Sequence, residues 1–383
     1  MAVSTQGLDR VQELSQDRMA YAREMAAQGK KVIGYFCCQT PVELMTALDL
    51  VPYRIEGRAD EAIKEADAFL ETFICSYVRS AFDLALRGEY DFLHGLVVPH
   101  TCDAMWRILT IWKFHKPLEY SHFIEAPHMV GPSSCSFMTE ELKLFKQSLE
   151  KMTNRTITES GLRGAIDEHN HSRALLKELY QFRKTSPPRV SGSEVVKVLT
   201  AGMGIPVREF NELLVEVTDE IKAREQLPQS KKPRVMIYGA EIDDPAIIEL
   251  IEECGAEVVM DDLCTGSRSF WDPVQVNGDD LQSLAAHYVE DIRCPRTCRP
   301  GSPEERFRYI ADFAREFNVQ GIILYIYRFC DGHALEAPGQ KAYLNREGFP
   351  VLHLEEEYTL LTRGQLRTRF QAFIETLSQG DQS

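Results

Sequence analysis

The sequence predicts an α/β fold in which two similar parallel-sheet domains are joined by a helical layer. Short apolar, β-branched runs alternate with helical patterns over residues 31–138 and again over residues 231–383, and such alternation is typical of parallel sheets. Residues 139–230 carry helical patterns alone, and residues 1–30 are predicted to form an N-terminal helix. The predicted architecture is therefore two α/β domains that flank a helical segment.

A repeated strand ending is the most informative local pattern in the chain. Residues 95–103 and 321–331 each contain a short apolar run typical of a buried strand, and each run leads into a Cys-Asp pair. Cys102 and Cys330 are thus predicted to lie at the carboxyl ends of two parallel strands. Because open α/β sheets bind ligands at this edge, we expect a cofactor site at the interface of the two domains.

Turn and capping residues place the elements of the first domain. Gly29 ends the first helix, Pro41 opens a short helix with Glu43 in its first turn, and Gly88 follows a helix that begins near Cys75. The predicted elements of this part are a helix over 6–29, strands over 31–36 and 51–55, helices over 41–48 and 75–86, and a strand that ends near Cys102.

Similar patterns place the later elements. Thr158 and Ser191 are predicted helix starts, and Pro-containing stretches at 186–188 and 229–233 interrupt the helical segment. The second domain is predicted to contain a strand over 234–239, a helix that ends near Cys254, a strand over 256–260, a helix over 303–317 and a strand over 321–327. This order resembles that of the first domain, so we interpret the two as similar domains that face one cofactor.

Composition argues against several functional classes. The chain has 383 residues and a formal net charge of −15, whereas nucleic-acid binding requires a basic face. No apolar run approaches the roughly 20 residues of a membrane span, and residues 1–5 lack a secretion-leader pattern. We therefore expect a cytoplasmic protein that binds neither nucleic acid nor membrane. Its ten cysteines then belong to a reducing compartment, where thiols serve metals or catalysis more often than disulfides.

Three cysteines are the main candidate ligands of a cofactor. Cys102 and Cys330 follow the two repeated strands, and Cys75 lies at a predicted helix start, where the helix dipole is expected to lower the thiol pKa. Thiolates from three separate elements suit a soft metal or an iron-sulfur cluster better than a zinc site built from close pairs. The alternative is that each cysteine is a small apolar core residue.

The other cysteines are less well determined by their positions. Cys294 and Cys298 lie four apart in a predicted loop, so that one of them could approach the cofactor. Cys37 and Cys38 follow the first strand and could line the same cavity, although adjacent cysteines rarely chelate one metal together. The remaining interpretations are helix packing for Cys254 and no assigned role for Cys135 and Cys264.

Charged side chains near the predicted sheet edges are candidates for chemistry. Glu43 and His100 are candidate catalytic acid/base groups, with helix capping as the alternative role of Glu43. Arg268 is a candidate contact for a phosphorylated ligand, with an ordinary surface loop as the alternative, and Arg328 is a second candidate for substrate binding. No Walker loop, dinucleotide fingerprint, serine elbow or zinc-hydrolase motif occurs in the sequence.

Several short motifs, taken in order, resemble those of one enzyme superfamily. Each motif alone is weak, but their order from about residue 30 to residue 376 is specific. They lie at 34–37, 41–44, 74–75, 101–103, 191–194, 261–268, 294–295, 329–331, 364–369 and 373–375. By these motifs the chain resembles the iron-sulfur subunits of the 2-hydroxyacyl-CoA dehydratase and benzoyl-CoA reductase superfamily.

The resemblance implies a cofactor, partners and a reaction. It implies a [4Fe-4S] cluster held by Cys75, Cys102 and Cys330, with one iron left open to water or a substrate oxygen. It also implies a heterodimer with a homologous second subunit, an ATP-hydrolysing iron-sulfur activator and an acyl-CoA substrate. The preferred function is that of a 2-hydroxyacyl-CoA dehydratase, in which one electron converts the thioester into a ketyl radical that loses water.

Three alternatives stay open within this resemblance. The chain could belong to an ATP-dependent aromatic reductase of the benzoyl-CoA type. It could belong to a branch that carries a double-cubane cluster, whose extra thiolates would come from Cys37, Cys38, Cys294 or Cys298. It could also be a subunit that transfers electrons without turning over a substrate itself.

Overall fold

The computed structural model describes residues 6–225 and 228–380. Within these ranges the chain forms two four-stranded, all-parallel sheets with helices around them, which confirms the predicted α/β class. The prediction that no leader opens the chain concerns residues 1–5, which lie outside the described residues. The same is true of residues 226–227 in the predicted helical segment and of residues 381–383 at the end of the second domain.

Strands and helices alternate in both halves of the chain, and helices alone connect the halves. The strands are β1 (Val32–Tyr35), β2 (Val51–Arg54), β3 (Gly95–Pro99), β4 (Tyr120–Ile124), β5 (Arg234–Gly239), β6 (Glu257–Asp262), β7 (Gly321–Tyr327) and β8 (Val351–Glu356). The helices before β5 are α1 (Gln6–Gln16), α2 (Arg18–Ala27), α3 (Val42–Thr46), α4 (Ser76–Leu86), α5 (Asp103–His115), α6 (Pro132–Thr153), α7 (Glu159–Gln181), α8 (Gly192–Gly202) and α9 (Val207–Lys222). The later helices are α10 (Ala246–Glu253), α11 (Asp280–Ala286), α12 (Pro303–Glu316), α13 (Asp331–Arg346) and α14 (Arg363–Gly380).

The two sheets have the same strand order. The first runs β2-β1-β3-β4 and the second runs β6-β5-β7-β8, with every neighbouring pair parallel. In each sheet the second strand lies on one side of the first strand, and the third and fourth strands lie on the other side. The direction of the strand order therefore reverses between β1 and β3 and between β5 and β7. Ligands of open α/β sheets bind at the carboxyl side of such a switch point.

Six strands are predicted from apolar runs, and two edge strands are missed. β4 has the sequence Tyr-Ser-His-Phe-Ile with only its two end residues buried, and β8 is mostly half-buried. Each pairs on one side only, with β3 and β7 respectively. Because part of each strand meets solvent, neither carries the continuous apolar run that marks a buried parallel strand.

The helix boundaries partly match the prediction. The single helix expected over 6–29 is wrong in detail, because Asp17 separates α1 from α2 and its side chain accepts a hydrogen bond from the Ala20 N–H at 2.9 Å. The helix starts at Thr158 and Ser191 are confirmed. Each side chain accepts a hydrogen bond from the backbone N–H of the residue three positions later. Helix α6 begins at Pro132, so the predicted domain boundary after residue 138 falls inside it.

Both halves contribute to one continuous apolar core. One buried cluster combines Ile33 and Val97 of the first sheet with Ile237 and Ile323 of the second. Complete burial of such side chains stabilises by about 1.5–3 kcal/mol each, so the halves are held together by apolar contacts as well as by the chain. In the described part of the chain, no helix is both long enough and apolar enough to cross a membrane.

Candidate functional site

A cavity lies where the carboxyl edges of the two sheets meet. Its wall contains residues that follow β1, β3, β5 and β7, the four strands that flank the two switch points. The cavity encloses about 700 Å³ including its open mouth. Six cysteines line it, namely Cys37, Cys75, Cys102, Cys264, Cys294 and Cys330.

The three cysteines singled out from the sequence occupy equivalent local positions. Cys75, Cys102 and Cys330 are the residues immediately before α4, α5 and α13, and all three line the cavity. A helix N-terminus carries a partial positive charge and unpaired N–H groups, which favour negative charge nearby. Three helix N-termini therefore converge on the space between these sulfur atoms.

Three further cysteines complete the wall. The sequence leaves the roles of Cys37 and Cys294 open and assigns none to Cys264, yet each lines the same cavity. Cys264 comes two residues after β6 and so lies at the same sheet edge as Cys330, which is the clue that the sequence offers. Cys298 is exposed, and its carbonyl accepts a hydrogen bond from the Val130 N–H.

The thiols fall into two electrostatic groups. Burial raises the pKa of Cys75 to about 11 and that of Cys102 to about 12. The expected lowering of the Cys75 pKa by the helix dipole is therefore wrong for the free thiol, because loss of hydration outweighs the dipole. By contrast, a hydrogen bond with Cys38 lowers the pKa of Cys37 to about 7, and bonding to Cys38 and the nearby Arg268 charge lower the pKa of Cys264.

The cavity sulfurs are soft donors, the ligand type that zinc and iron-sulfur clusters both use. Among the residues that the structure describes, no group of three or more His, Cys, Asp or Glu side chains forms a compact site for a metal ion.

Two acidic residues, Glu241 and Asp331, also line the cavity, and sequence reasoning misses Glu241. Glu241 follows β5 and receives two hydrogen bonds from Arg54 of β2, at 3.1 Å from Nε and 2.7 Å from Nη2. Burial raises the pKa of Glu241 to about 8 despite this partner. The pair joins the first half of the molecule to the second at the wall of the cavity.

Two cavity residues have unusual backbone conformations. Cys37 and Phe329 have φ angles of +64° and +63°. The other non-glycine residues with positive φ in the described part of the chain are Asp49, Asn154 and Asn318, which are types that tolerate this region. Backbone strain in a cysteine and an aromatic residue thus coincides with the cavity, as is common at functional sites.

The predicted acid/base residues lie outside the cavity wall. The Glu43 carboxylate is completely buried, 2.6 Å from Arg173 Nη2 and 2.8 Å from the Tyr288 hydroxyl. Burial opposes its ionisation, but the Arg173 charge prevails and lowers the Glu43 pKa to about 2. His100 Nδ1 is hydrogen-bonded to Glu125, which follows the end of β4. Neither side chain lines the cysteine cavity.

The two predicted substrate-binding arginines differ in exposure. Arg328 is exposed and precedes Phe329 of the cavity wall. Arg268 is buried behind the wall and donates hydrogen bonds to Asp262, to the Gly239 carbonyl and to Cys264 Sγ. A phosphate could reach its donors only by replacing these bonds.

A second cavity adjoins the first. It encloses about 880 Å³ between the first sheet and the helical layer, and Cys37 lines both cavities. Its polar wall includes Arg54, His169 and Tyr288, and its apolar wall includes Phe210. Arg173 also lines this cavity, and each arginine of the wall has a carboxyl partner, Glu241 for Arg54 and Glu43 for Arg173.

Comparison with known proteins agrees with the resemblance found from the motifs. Residues 37–377 match the family described as "2-hydroxyglutaryl-CoA dehydratase, D-component". The chain is 28% identical over 319 residues to one of the subunits of benzoyl-CoA reductase from Thauera aromatica, with 82% of each chain covered. It is 26% identical over 356 residues to the (R)-phenyllactyl-CoA dehydratase beta subunit of Clostridium sporogenes, covering 93% of this chain and 94% of the relative.

A third relative extends over nearly the whole chain. It is the beta subunit of (R)-2-hydroxyglutaryl-CoA dehydratase from Acidaminococcus fermentans, which is 24% identical over 383 residues. The match covers 98% of this chain and 100% of the relative. These relatives are named as subunits of dehydratases or of a reductase, and the family match includes all six cavity cysteines. The chain belongs to the 2-hydroxyglutaryl-CoA dehydratase D-component family.

Proposed function

We propose that this chain is the iron-sulfur subunit of a cytoplasmic 2-hydroxyacyl-CoA dehydratase, with a [4Fe-4S] cluster bound by Cys75, Cys102 and Cys330. The observation that carries the proposal is the convergence of these three cysteines, each directly before a helix, on one cavity between the two sheets. Three thiolates leave one iron of a four-iron cluster without a cysteine ligand.

The chemistry follows from such a cluster and from the relatives. When bound, the cluster supplies low-potential one-electron chemistry for the elimination of water from a 2-hydroxyacyl-CoA thioester. The electron comes from an ATP-hydrolysing iron-sulfur activator, and the thioester passes through a ketyl radical before the electron is returned. The partner is a homologous second subunit, in line with the relatives' names as beta subunits.

The residues of this chain have defined parts in that proposal. The three helix N-termini offset the negative charge of the thiolates, and the buried apolar surroundings keep water away from the sulfur atoms. Glu241, whose pKa burial raises to about 8, is placed to hold a proton at the cavity wall. The neighbouring cavity has a mixed polar and apolar wall in which both arginines are paired, so it suits the acyl end of a thioester rather than its phosphates.

A second candidate function is favoured by one specific observation. Six cysteines, rather than three, line the cavity, and they include Cys37, Cys264 and Cys294. A double-cubane cluster needs additional thiolates of this kind. In that case the chain belongs to the branch of the superfamily that reduces small molecules.

Counting iron separates these proposals. The chain is purified without oxygen, alone and with the subunit encoded beside it, and then reconstituted with iron and sulfide. About four irons per chain supports the [4Fe-4S] proposal, and about eight supports the double cubane. Absence of iron after reconstitution would overturn both.

Activity assays then separate the enzymes. The loaded complex is supplied with activator, ATP and either a 2-hydroxyacyl-CoA or benzoyl-CoA. Dehydration of the hydroxyacyl substrate is the expected result. Turnover of benzoyl-CoA alone would assign the chain to the aromatic reductases, the class of its Thauera aromatica relative. A loaded chain with neither activity would be an electron-transfer subunit.

A further inference from the structure

Arg268 connects the wall of the cysteine cavity to the strand behind it. Its side chain is completely buried, and Nε lies 3.1 Å from Asp262 Oδ1. Nη1 lies 3.1 Å from the Gly239 carbonyl oxygen and 3.2 Å from Cys264 Sγ. The guanidinium is therefore held in place by the ends of β5 and β6 while one of its N–H groups points at a cavity sulfur.

A neighbouring arginine shows what a purely structural role looks like. Arg183 is also buried, with Nη1 2.9 Å from Asp261 Oδ2 and Nη2 3.0 Å from the Val258 carbonyl oxygen. Asp261 and Asp262 are consecutive residues at the end of β6. The Arg183–Asp261 and Arg268–Asp262 ion pairs are therefore both formed between a buried arginine and an aspartate of the same strand. The two arginines differ in one acceptor. Arg268 has a sulfur atom within hydrogen-bond distance, whereas the two acceptors given for Arg183 are both oxygen atoms.

His333 links this arginine to the second half's helix-capping cysteine. His333 is the third residue of α13, which begins directly after Cys330, and it is buried in the cavity wall. Its Nε2 lies 3.4 Å from Arg268 Nη1. Cys264 and Cys330, although 66 residues apart in the sequence, are thus tied to one polar cluster.

From this geometry we propose that Arg268 is a positioning residue that holds Cys264 Sγ in the cavity as an additional sulfur ligand of the cluster. The inference rests on the double-cubane form of the proposed function, because the [4Fe-4S] form is held by Cys75, Cys102 and Cys330 alone. Arginine keeps its charge inside proteins, so its bond to a thiolate is charge-assisted and does not depend on a proton being present. Hydrogen bonds to ligand sulfurs are also a recognised determinant of cluster reduction potential.

The experiment compares Arg268→Gln with the matched variant Arg183→Gln. Both are made in the full chain, purified without oxygen together with its partner subunit and reconstituted with iron and sulfide. Iron and sulfide per chain are counted, and the midpoint potential is measured by a redox titration followed by electron paramagnetic resonance. We expect Arg268→Gln to lose the irons that depend on Cys264 or to shift the potential to a more negative value, because a positive donor is removed from the sulfur. Arg183→Gln should keep the wild-type iron content and potential.

Two further variants keep the test decisive. Arg268→Lys retains the buried charge without the planar fork, and it should still shift the potential if Arg268→Gln does not fold. In a Cys264→Ala background, Arg268→Lys should change neither iron content nor potential any further, because the sulfur it acts on is absent.

The outcomes distinguish the inference from the proposed function. The inference would be overturned if the wild-type chain binds iron and the Arg268 variants, or the Cys264→Ala variant, have the same iron content and potential as wild type. That result would leave the proposed function standing. Equal shifts in the Arg268→Gln and Arg183→Gln variants would also overturn the inference, since they would show a structural effect only. A wild-type chain without iron would overturn both.

Discussion

The two halves of the molecule share a topology but treat their sulfur atoms differently. In the first half β3 leads through Cys102 into α5, and in the second half β7 leads through Cys330 into α13. Each half contributes three cysteines to one cavity: Cys37, Cys75 and Cys102 from the first, and Cys264, Cys294 and Cys330 from the second. The repeated sheet order therefore places thiols at matching edges.

The difference lies in the polar groups behind the thiols. Burial raises the pKa of Cys75 and Cys102 in the first half and that of Cys294 and Cys330 in the second. The pKa is lowered for one cysteine of each half, Cys37 and Cys264. In the second half Arg268 and His333 stand behind Cys264. A shared fold thus determines where the sulfur atoms lie, while side chains specific to one half determine the charge around them.

The largest expected effect tests whether the equivalent cysteines of the two halves both bind the proposed cluster. Cys102→Ser and Cys330→Ser should each lose nearly all bound iron and still yield soluble, folded protein, because both thiolates hold the proposed cluster while the fold has its own apolar core. The measurement is iron and sulfide per chain after anoxic reconstitution, with circular dichroism to check the fold.

Cys254→Ser is the matched control for these variants. Cys254 follows α10 away from the cavity, with Sγ 3.8 Å from the Arg367 carbonyl oxygen, so its replacement should leave iron content unchanged. Full iron content in Cys330→Ser would show that the halves are not equivalent and that the ligand assignment is wrong.

The next largest effect concerns the ion pair that joins the halves. Glu241→Leu should lower the free energy of unfolding by about 3–5 kcal/mol, because it leaves the Arg54 charge buried without a carboxyl partner. Urea denaturation of the metal-free protein measures this. Glu140→Ala removes the partner of Lys143 in an exposed pair on α6 and should cost no more than about 1 kcal/mol. Similar costs for both variants would mean that Glu241 does not hold the halves together.

Glu43 and Glu241 make opposite contributions to the pH dependence of stability. The Glu43 pKa falls from 4.5 to about 2 on folding, so its contribution is present above pH 4.5 and is lost as pH falls toward 2. At about 1.4 kcal/mol per pH unit, this amounts to about 3 kcal/mol. The Glu241 pKa instead rises to about 8, so its contribution decreases as pH rises from 4.5 to 8.

Urea denaturation at several pH values tests this contrast. The difference in unfolding free energy between wild type and Glu43→Gln should be greatest near pH 6 and should narrow by pH 3, because the unfolded chain binds a proton at Glu43 below pH 4.5 whereas the folded protein does so only near pH 2. In an Arg173→Met background this narrowing should disappear, because burial without the arginine charge no longer lets the folded Glu43 pKa fall below its unfolded value. A difference that is constant from pH 6 to pH 3 would contradict the ion-pair account.

Local patterns predict the parts of this structure that depend on neighbouring residues. The Cys-Asp strand endings, the helix starts at Thr158 and Ser191 and the strands β5, β6 and β7 follow from short-range periodicity and capping, and the structure confirms them. The edge strands β4 and β8 are missed because their solvent-facing residues interrupt the apolar run.

The remaining features of the site depend on contacts between distant segments. Cys264 and Glu241 reach the cavity only because β5 lies between β6 and β7, so that the ends of these strands meet at one edge of the sheet. The only local sign is that Cys264 follows β6 by two residues. The local helix dipole predicts a lowered pKa for Cys75, whereas burial between the two halves raises it. Sequence reasoning therefore locates the edge of the sheet but not its full set of side chains.

The smallest expected effect tests the backbone strain that both halves carry at the cavity. Phe329→Gly relieves about 1–2 kcal/mol of strain at φ +63°, which offsets the burial lost with a ring that is 47% exposed, so the free energy of unfolding should change by less than about 1 kcal/mol. Asn318→Gly, at φ +52°, should change it by less than about 0.5 kcal/mol because asparagine already tolerates this region. If Phe329→Gly instead lowers stability by a larger amount, the ring itself supports the fold at the cavity mouth. The positive φ of Phe329 would then result from packing of its ring in the second half, and it would not have the same cause as the positive φ of Cys37 in the first half.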